Sequence, residues 1–207
     1  MISDSSAHIA VVIPAFRVEK YIASVVSSVP AFNQTIVAVD DGSPDSTGPM
    51  LDQLALEDQR LVMLHHGQNQ GVGGATKSGY QEALRLGADV VVKLDGDGQM
   101  DADRIEALVA PLLSGRAEYA KGNRFRDRNF LRAMPLARRI GNLGLSFLIK
   151  MASGYWNVFD PSNGFTAISA NTLRQLDFDR LEQGYLFETS MLVELYKLGA
   201  RVEQVPM

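Results

Sequence analysis

The chain has 207 residues, 46% hydrophobic and 21% charged, which suits one globular domain with a sizeable core and excludes disordered and collagen-like classes. It holds no cysteine, which excludes disulfides, thiolate nucleophiles and cysteine-ligated metals, and its three histidines, His8 and the adjacent His65 and His66, lack the i, i+4 spacing of a paired imidazole site. The formal net charge of −4 hides a segregation: residues 121–150 carry +7 and the rest −11, so one segment is built to meet anions. A pI near 5.4 argues against nucleic acid as partner. No basic region precedes an apolar stretch at the N-terminus and no run of about 18 apolar residues occurs, so neither a leader nor a membrane span is expected.

Apolar, β-branched runs predict buried strands over His8 to Ile13, Thr35 to Val39, Arg60 to Leu64 and Ala88 to Leu94. Helical patterns fill the intervals: Glu19 to Ser28, Asp45 to Leu56, Gly74 to Leu86 and Asp101 to Leu113. Alternating strand and helix implies right-handed crossovers and an α/β fold with a mostly parallel sheet. After Tyr119 the rhythm gives way to a basic loop, a long apolar and basic stretch from Phe130 to Met151, and a turn over Asp160 to Gly164. A last helix, Phe187 to Leu198 with Gly199 as its cap, leads to a strand from Val202.

In such sheets ligands bind beyond the carboxyl ends of the strands, where this chain is most polar. The fourth run ends in Asp95-Gly-Asp97-Gly-Gln99, two carboxylates and an amide. Hard divalent cations such as Mg²⁺ or Mn²⁺ take oxygen ligands and share them with substrate phosphates, although Asp and Gly at this spacing also make an ordinary turn. The second run ends in Asp40-Asp41-Gly42-Ser43, where the paired carboxylates would gain from an external donor or cation, while Asp45 or Ser43 can cap the next helix.

Gly71-Val-Gly73-Gly74-Ala-Thr76-Lys77-Ser78 narrowly misses both a P-loop and a dinucleotide fingerprint, each failing at Thr76. It reads as a tight turn, as the border of a nucleotide-sugar pocket or, distantly, as a P-loop-like nucleotide site. Arg124, Arg126, Arg128, Arg132, Arg138 and Arg139 can clamp phosphate or form a solvated face. The neighbouring apolar run reads equally as core or as a membrane-lying surface. Asp160 and Glu188 have capping or dipole explanations and can also approach a reacting centre, and Tyr155 and Trp156 can stack on a sugar or pack in the core.

Taken together, Val12-Ile-Pro14-Ala-Phe16 with Glu19, Asp40-Asp41-Gly42-Ser43, Asn69-Gln-Gly71, Asp95-Gly-Asp97-Gly-Gln99, Arg138-Arg139, Asp160 with Gly164-Phe165, and Phe187-Glu188 resemble glycosyltransferase family 2. The likeness runs through the whole chain and is nearest the polyprenyl-phosphate or dolichyl-phosphate hexose synthase branch. It implies a single GT-A domain over 1–207, Rossmann-like, with a nucleotide-binding part over 1–100 and an acceptor side over 101–207. It also implies that the family's membrane-anchoring C-terminal segment is absent from this chain.

By the same resemblance, Pro14, Ala15, Phe16, Glu19, Asp40, Asp41, Gly42, Ser43, Gly71 and Asp95 would bind a UDP- or GDP-sugar. Asp95, Asp97 and Gln99 would hold Mg²⁺ or Mn²⁺, with Asp97 and Gln99 the more direct ligands. Arg126, Arg138 and Arg139 would meet the acceptor phosphate, and Asp160, Arg124 and Glu188 would be catalytic. Phe16 stands where many members carry Tyr, Ser162 and Asn163 stand where others carry Gln or Cys, and the QxxRW motif of processive polymerases is absent.

The expected activity is inverting, metal-dependent transfer of a hexose to undecaprenyl or dolichyl phosphate, for cell-envelope glycan or glycoconjugate synthesis. The setting would be the cytoplasmic face of a membrane, to which the protein is peripheral or anchored, with homo-oligomerisation left open. The alternative is transfer to a hydroxyl of a saccharide or lipid-linked acceptor, which would demand a firmer base.

Overall fold

The computed structural model describes residues 7–124, 154–155, 160 and 163–207. The four apolar runs become Ile9–Ala15 (β1), Thr35–Asp40 (β2), Leu61–His65 (β3) and Val90–Lys93 (β4), all parallel and ordered β3-β2-β1-β4. Ile22–Ser28 (α1), Thr47–Glu57 (α2) and Gly71–Arg85 (α3) cross between them, and Ile105–Leu113 (α4) follows β4 after a 3₁₀ turn. The chain then adds Tyr119–Asn123 (β5), Thr166–Ser169 (β6), the short Ala170–Leu173 (α5), Phe187–Lys197 (α6) and Val202–Pro206 (β7).

The sheet is seven-stranded, β3-β2-β1-β4-β6-β5-β7, with β6 antiparallel to both its neighbours and β7 parallel to β5. Order reverses between β1 and β4, so their carboxyl ends open a crevice where an α/β sheet receives its ligand.

Two cores cover the two faces, as the period of two along each strand requires. Val11, Ile13, Ile36, Ala38, Val90 and Val92 pack under α1, α2 and α4, while Ala10, Val12, Val37, Val39 and Val91 pack under α3 and α6. Burying each valine or isoleucine contributes about 1.5–3 kcal/mol. Alternation places Lys93 on the second face with Val91, although it carries a charge. Helix α3 lies close on β1 because Gly79 meets Val12 where any Cβ would collide. Helix α6 closes as expected, Gly199 taking a left-handed φ of 68°.

Three expectations need correction. The basic loop after Tyr119 begins instead as β5, whose short polar sequence carries little strand signal, and its Lys121 is fully buried rather than facing anions. Strand β6 and helix α5 went unpredicted because four residues each are too few to show a period. Helix α2 starts at Thr47 after Ser46, whose side chain makes no capping bond; Asp45 Oδ1 accepts from Thr47 N–H at 3.1 Å, while Ser43 Oγ accepts from Arg17 N–H.

Candidate active site

Two cavities lie beyond the carboxyl end of β4 and share the wall made by Asp95, Asp97 and Gly164, and the carboxyl end of β1 lines the larger of them. The larger, about 760 Å³, is lined by Pro14, Ala15, Phe16, Asp41 and Gly71, all expected nucleotide-sugar residues, and by Tyr185, which is 99% exposed at its mouth. The smaller, about 390 Å³, is lined by Gln99, Arg104, Arg124, Asn163 and Met207. One turn of chain therefore faces two chambers at once. Glu19, Asp40, Gly42 and Ser43 do not line either cavity. Glu19 accepts from Ser46 N–H at 3.0 Å and Asp40 from Ser43 N–H at 3.1 Å, so both shape the loop behind the larger chamber.

Asp95 Oδ1 accepts from Lys93 Nζ at 2.6 Å, and Asp97 Oδ1 accepts from Gln99 N–H at 3.0 Å, which closes the turn around Gly98 at a φ of 73°. Among the described residues the Oδ2 atoms of Asp95 and Asp97 make no hydrogen bond. Gly164 allows its loop to lie against this turn: a Cβ there would stand 2.6 Å from Lys93 Nζ and 2.7 Å from Asp95 Oδ2. Two carboxylates and an amide form a hard-oxygen donor set that fits a divalent cation sharing its coordination with phosphates. Among the described residues no group of three or more His, Cys, Asp or Glu side chains is arranged to hold a metal ion by itself, so such a cation would need ligand oxygens to complete its coordination.

Behind the turn lies a buried ionic group. Lys93, 1% exposed, reaches Asp95 and also Glu188 Oε1 at 3.0 Å. Burial opposes its charge, but Asp95 and Glu188 outweigh burial and raise its pKa. Burial likewise pushes Glu188 up, yet Lys93 and Lys121 hold it below the usual carboxylate range. Lys121 donates to the Asn163 carbonyl, and its burial prevails over the pull of Glu188 and Asp160, lowering it to about 8.

Asp160, 2% exposed, accepts a forked pair from Arg124, Nε to Oδ2 at 2.9 Å and Nη2 to Oδ1 at 3.1 Å, and also the Arg124 N–H. The hydrogen bonds to Asp160 raise the guanidinium pKa against the effect of its partial burial. Both carboxylate oxygens are thus committed to aiming Arg124, whose side chain lines the smaller chamber.

The glycine-rich turn is not a phosphate loop. Asp41 Oδ1 accepts from Gln70 N–H and His66, and its Oδ2 from Gly71 N–H, at 2.6–2.9 Å. The Gln183 carbonyl accepts from Gly73 and Gly74 N–H, and Lys77 donates to the Phe178 and Leu181 carbonyls. The Gly71, Gly73 and Gly74 N–H groups and the lysine that a P-loop would aim at phosphate are engaged by the protein, which argues against the P-loop-like alternative. The turn borders the larger chamber, which Asn69 and Gly71 line.

Tyr155 packs edge-on against Tyr196 at 5.5 Å and donates to the Ala200 carbonyl, so it serves packing. Arg126, Arg128, Arg132, Arg138, Arg139, Trp156, Ser162 and the run from Phe130 to Met151 lie outside the described residues. Lys93 and Tyr185 are not among the residues that the sequence assigns to the site, and Lys121 enters there only as part of the basic segment. The available signal for Lys93 is a lone charge inside Val90-Val-Val-Lys93-Leu94.

The mostly parallel sheet, with its crevice at the carboxyl ends of β1 and β4, is of the GT-A fold. The Glycosyl transferase family 2 profile matches residues 10–177, and the chain belongs to that family and is a glycosyltransferase. It is 34% identical over 209 residues to the UDP-N-acetylglucosamine–dolichyl-phosphate N-acetylglucosaminyltransferase of Methanococcus voltae, covering 95% of this chain and 83% of the relative. It is 32% identical over 173 residues to the undecaprenyl-phosphate mannosyltransferase of Micrococcus luteus, covering 83% and 70%. A solved mycobacterial protein superposes with a TM-score of 0.70 at 23% identity, covering 97% of this chain and 65% of its own, a likeness of fold.

Proposed function

We propose that this protein transfers a hexose from a UDP- or GDP-sugar to a polyprenyl phosphate, undecaprenyl or dolichyl, with inversion at the anomeric carbon. The observation that carries the reading is the Asp95-Gly-Asp97 turn standing as the common wall of two chambers. The larger chamber takes the nucleotide between Pro14, Phe16, Asp41 and Gly71, and the smaller takes the acceptor phosphate beside Arg124. The relatives' names, a dolichyl-phosphate and an undecaprenyl-phosphate transferase, support the acceptor class.

Asp97, Gln99 and Asp95 would hold Mg²⁺ or Mn²⁺. When bound, the cation supplies charge neutralisation for the departing diphosphate. The chain's own residues supply the rest by position. Asp160 aims Arg124, and Arg124 meets phosphate charge in the smaller chamber. The sequence resemblance would assign Arg126, Arg138 and Arg139 to the acceptor phosphate as well, and Glu188 supports the centre from behind. A lipid phosphate is already anionic near neutral pH, so attack in line with the leaving diphosphate needs no strong base. The absence of a histidine from both cavity linings fits this, as does an Asp160 whose two oxygens are occupied. A hydroxyl acceptor would require a firmer base, a role for which Asp160, paired with Arg124, is poorly placed.

The setting we infer is the cytoplasmic membrane face, where the lipid acceptor resides. No helix among the described residues is long and apolar enough to cross a membrane. Incubating the protein with radiolabelled UDP- and GDP-sugars, Mn²⁺ and either undecaprenyl phosphate or undecaprenol tests the reading. Label entering lipid only with the phosphate supports it. Equal labelling of the alcohol, or transfer to a free saccharide alone, overturns it.

A further inference from the structure

Lys93 is the most unusual residue in the sheet: an ammonium in a strand otherwise built of valine, facing the core beneath α3 and α6 and 1% exposed. A buried cation persists only when paired, and Lys93 is paired from two segments. Asp95 lies just past the end of β4, and Glu188 lies in the first turn of α6. The Gly164 carbonyl stands 3.5 Å from the same nitrogen.

We infer that Glu188 is a positioning residue rather than a base: through Lys93 it presets Asp95, one oxygen turned inward and the other left toward the shared wall of the two chambers. The inference rests on the reading of Asp95 and Asp97 as the donor-holding turn. Two buried lysines stand here, since Lys121 is held against Asn163 on the neighbouring strand and feels the charge of Glu188. Were Glu188 neutral, Asp95 would be the sole counter-ion of Lys93, and its remaining negative charge would be drawn inward. With Glu188 present, Lys93 divides its charge between two carboxylates, and Asp95 keeps enough to meet an incoming cation and diphosphate. Arg124 is already balanced by Asp160 and takes no part in this exchange.

The geometry also fixes what Glu188 does not do. Its Oε1 lies 3.0 Å from a buried ammonium, and its backbone sits at the start of α6 beneath Tyr185 and Leu186. Glu188 contributes to the floor of the larger chamber, not to the smaller one where the acceptor is placed.

A double-mutant cycle on binding tests this. UDP and GDP, each with Mn²⁺, are titrated by calorimetry into wild type, Glu188→Gln, Asp95→Asn and the double variant. Glu188→Gln is expected to weaken nucleotide affinity about tenfold, the usual cost of losing a residue that orients a ligand-holding group. In the Asp95→Asn background the same change is expected to cost less than about twofold, because the partner through which it acts is gone. In turnover the donor KM rises while kcat holds.

Additive losses in the cycle, or a collapse of kcat with affinity retained, overturn the inference. Should Glu188→Gln fail to fold, Lys93→Met combined with Glu188→Met removes both charges together. Wild-type affinity in that variant overturns the inference, and weakened affinity with the melting temperature preserved supports it. If wild type binds neither nucleotide with Mn²⁺, the proposed function fails first and the inference falls with it.

Discussion

Two acidic strand ends look alike in sequence and differ in structure. At the end of β2, Asp41 is 2% exposed and accepts from His66, Gln70 and Gly71, while Asp40 accepts from Ser43 N–H and His65. Beyond β4, Asp95 accepts from Lys93 through one oxygen, Asp97 accepts, among the described residues, only from Gln99 N–H within its own turn, and both border the two chambers. Asp41 also lines the larger chamber, but both its oxygens are engaged in tying the start of α3 to the sheet. The second end keeps charge in reserve for something brought from outside. What separates a structural carboxylate from a ligand-holding one is the number of internal donors that reach it.

That contrast predicts opposite profiles for substitutions at the two ends. Asp97→Ala should reduce transfer by about 10³-fold while leaving the melting temperature unchanged, because the side chain holds little of the fold. A melting scan beside the radiolabel assay checks both halves, and a variant that keeps activity would place the turn on the wrong side of the comparison. Arg124→Ala should follow with a loss of about 10²-fold. Arg124→Lys should recover little, since lysine cannot return the two-pronged bond to Asp160. Full rescue by lysine would mean that charge alone, not the fork, serves the smaller chamber.

How far the comparison was visible beforehand follows from the same chemistry. Long apolar runs announced β1 to β4 and their order of alternation with helices, because burial on both faces requires a continuous apolar sequence. The Asp95-Gly-Asp97 turn was legible because residues just past such a strand have few structural reasons to be that polar, and Pro14 to Phe16 because they stand at the carboxyl end of an apolar run, where such sheets receive ligands. Asp41 was not separable from Asp97, since its donors, His66, Gln70 and Gly71, arrive from another loop 25 to 30 residues away. Tyr119–Asn123 and Thr166–Ser169 were hidden by brevity and by pairing with each other, which no local window contains. Lys121 looked like surface charge for the same reason: only the sheet reveals that its neighbours are buried.

At the β2 end, Asp41→Ala should remove the acceptor shared by His66, Gln70 N–H and Gly71 N–H, the last keeping Asn69 Oδ1, and lower stability by about 2 kcal/mol, read by chemical denaturation. Gly73→Ala should destabilise through a clash with the Glu182 and Gln183 carbonyls, and lower the melting temperature without touching the Asp95 turn.

The smallest expected effect is a proton linkage confined to the β2 end. His65 Nε2 lies 2.9 Å from Asp52 Oδ1 and Nδ1 lies 3.3 Å from Asp40 Oδ2, so both ring nitrogens can donate only when the imidazole is charged. The hydrogen bond to Asp52 leads, burial opposes and Asp40 assists, and the result is a raised pKa in the folded protein. The folded state therefore binds this proton more tightly than the unfolded chain does. Its stabilisation is complete below an unfolded value of about 6.5 and is lost as pH climbs through the raised folded value. Melting temperatures of the ligand-free protein and of His65→Asn, taken from pH 5.5 to 8.5, should converge toward the alkaline end. Parallel curves would show that His65 carries no linkage and that the β2 end is held by Asp41 and its backbone donors alone.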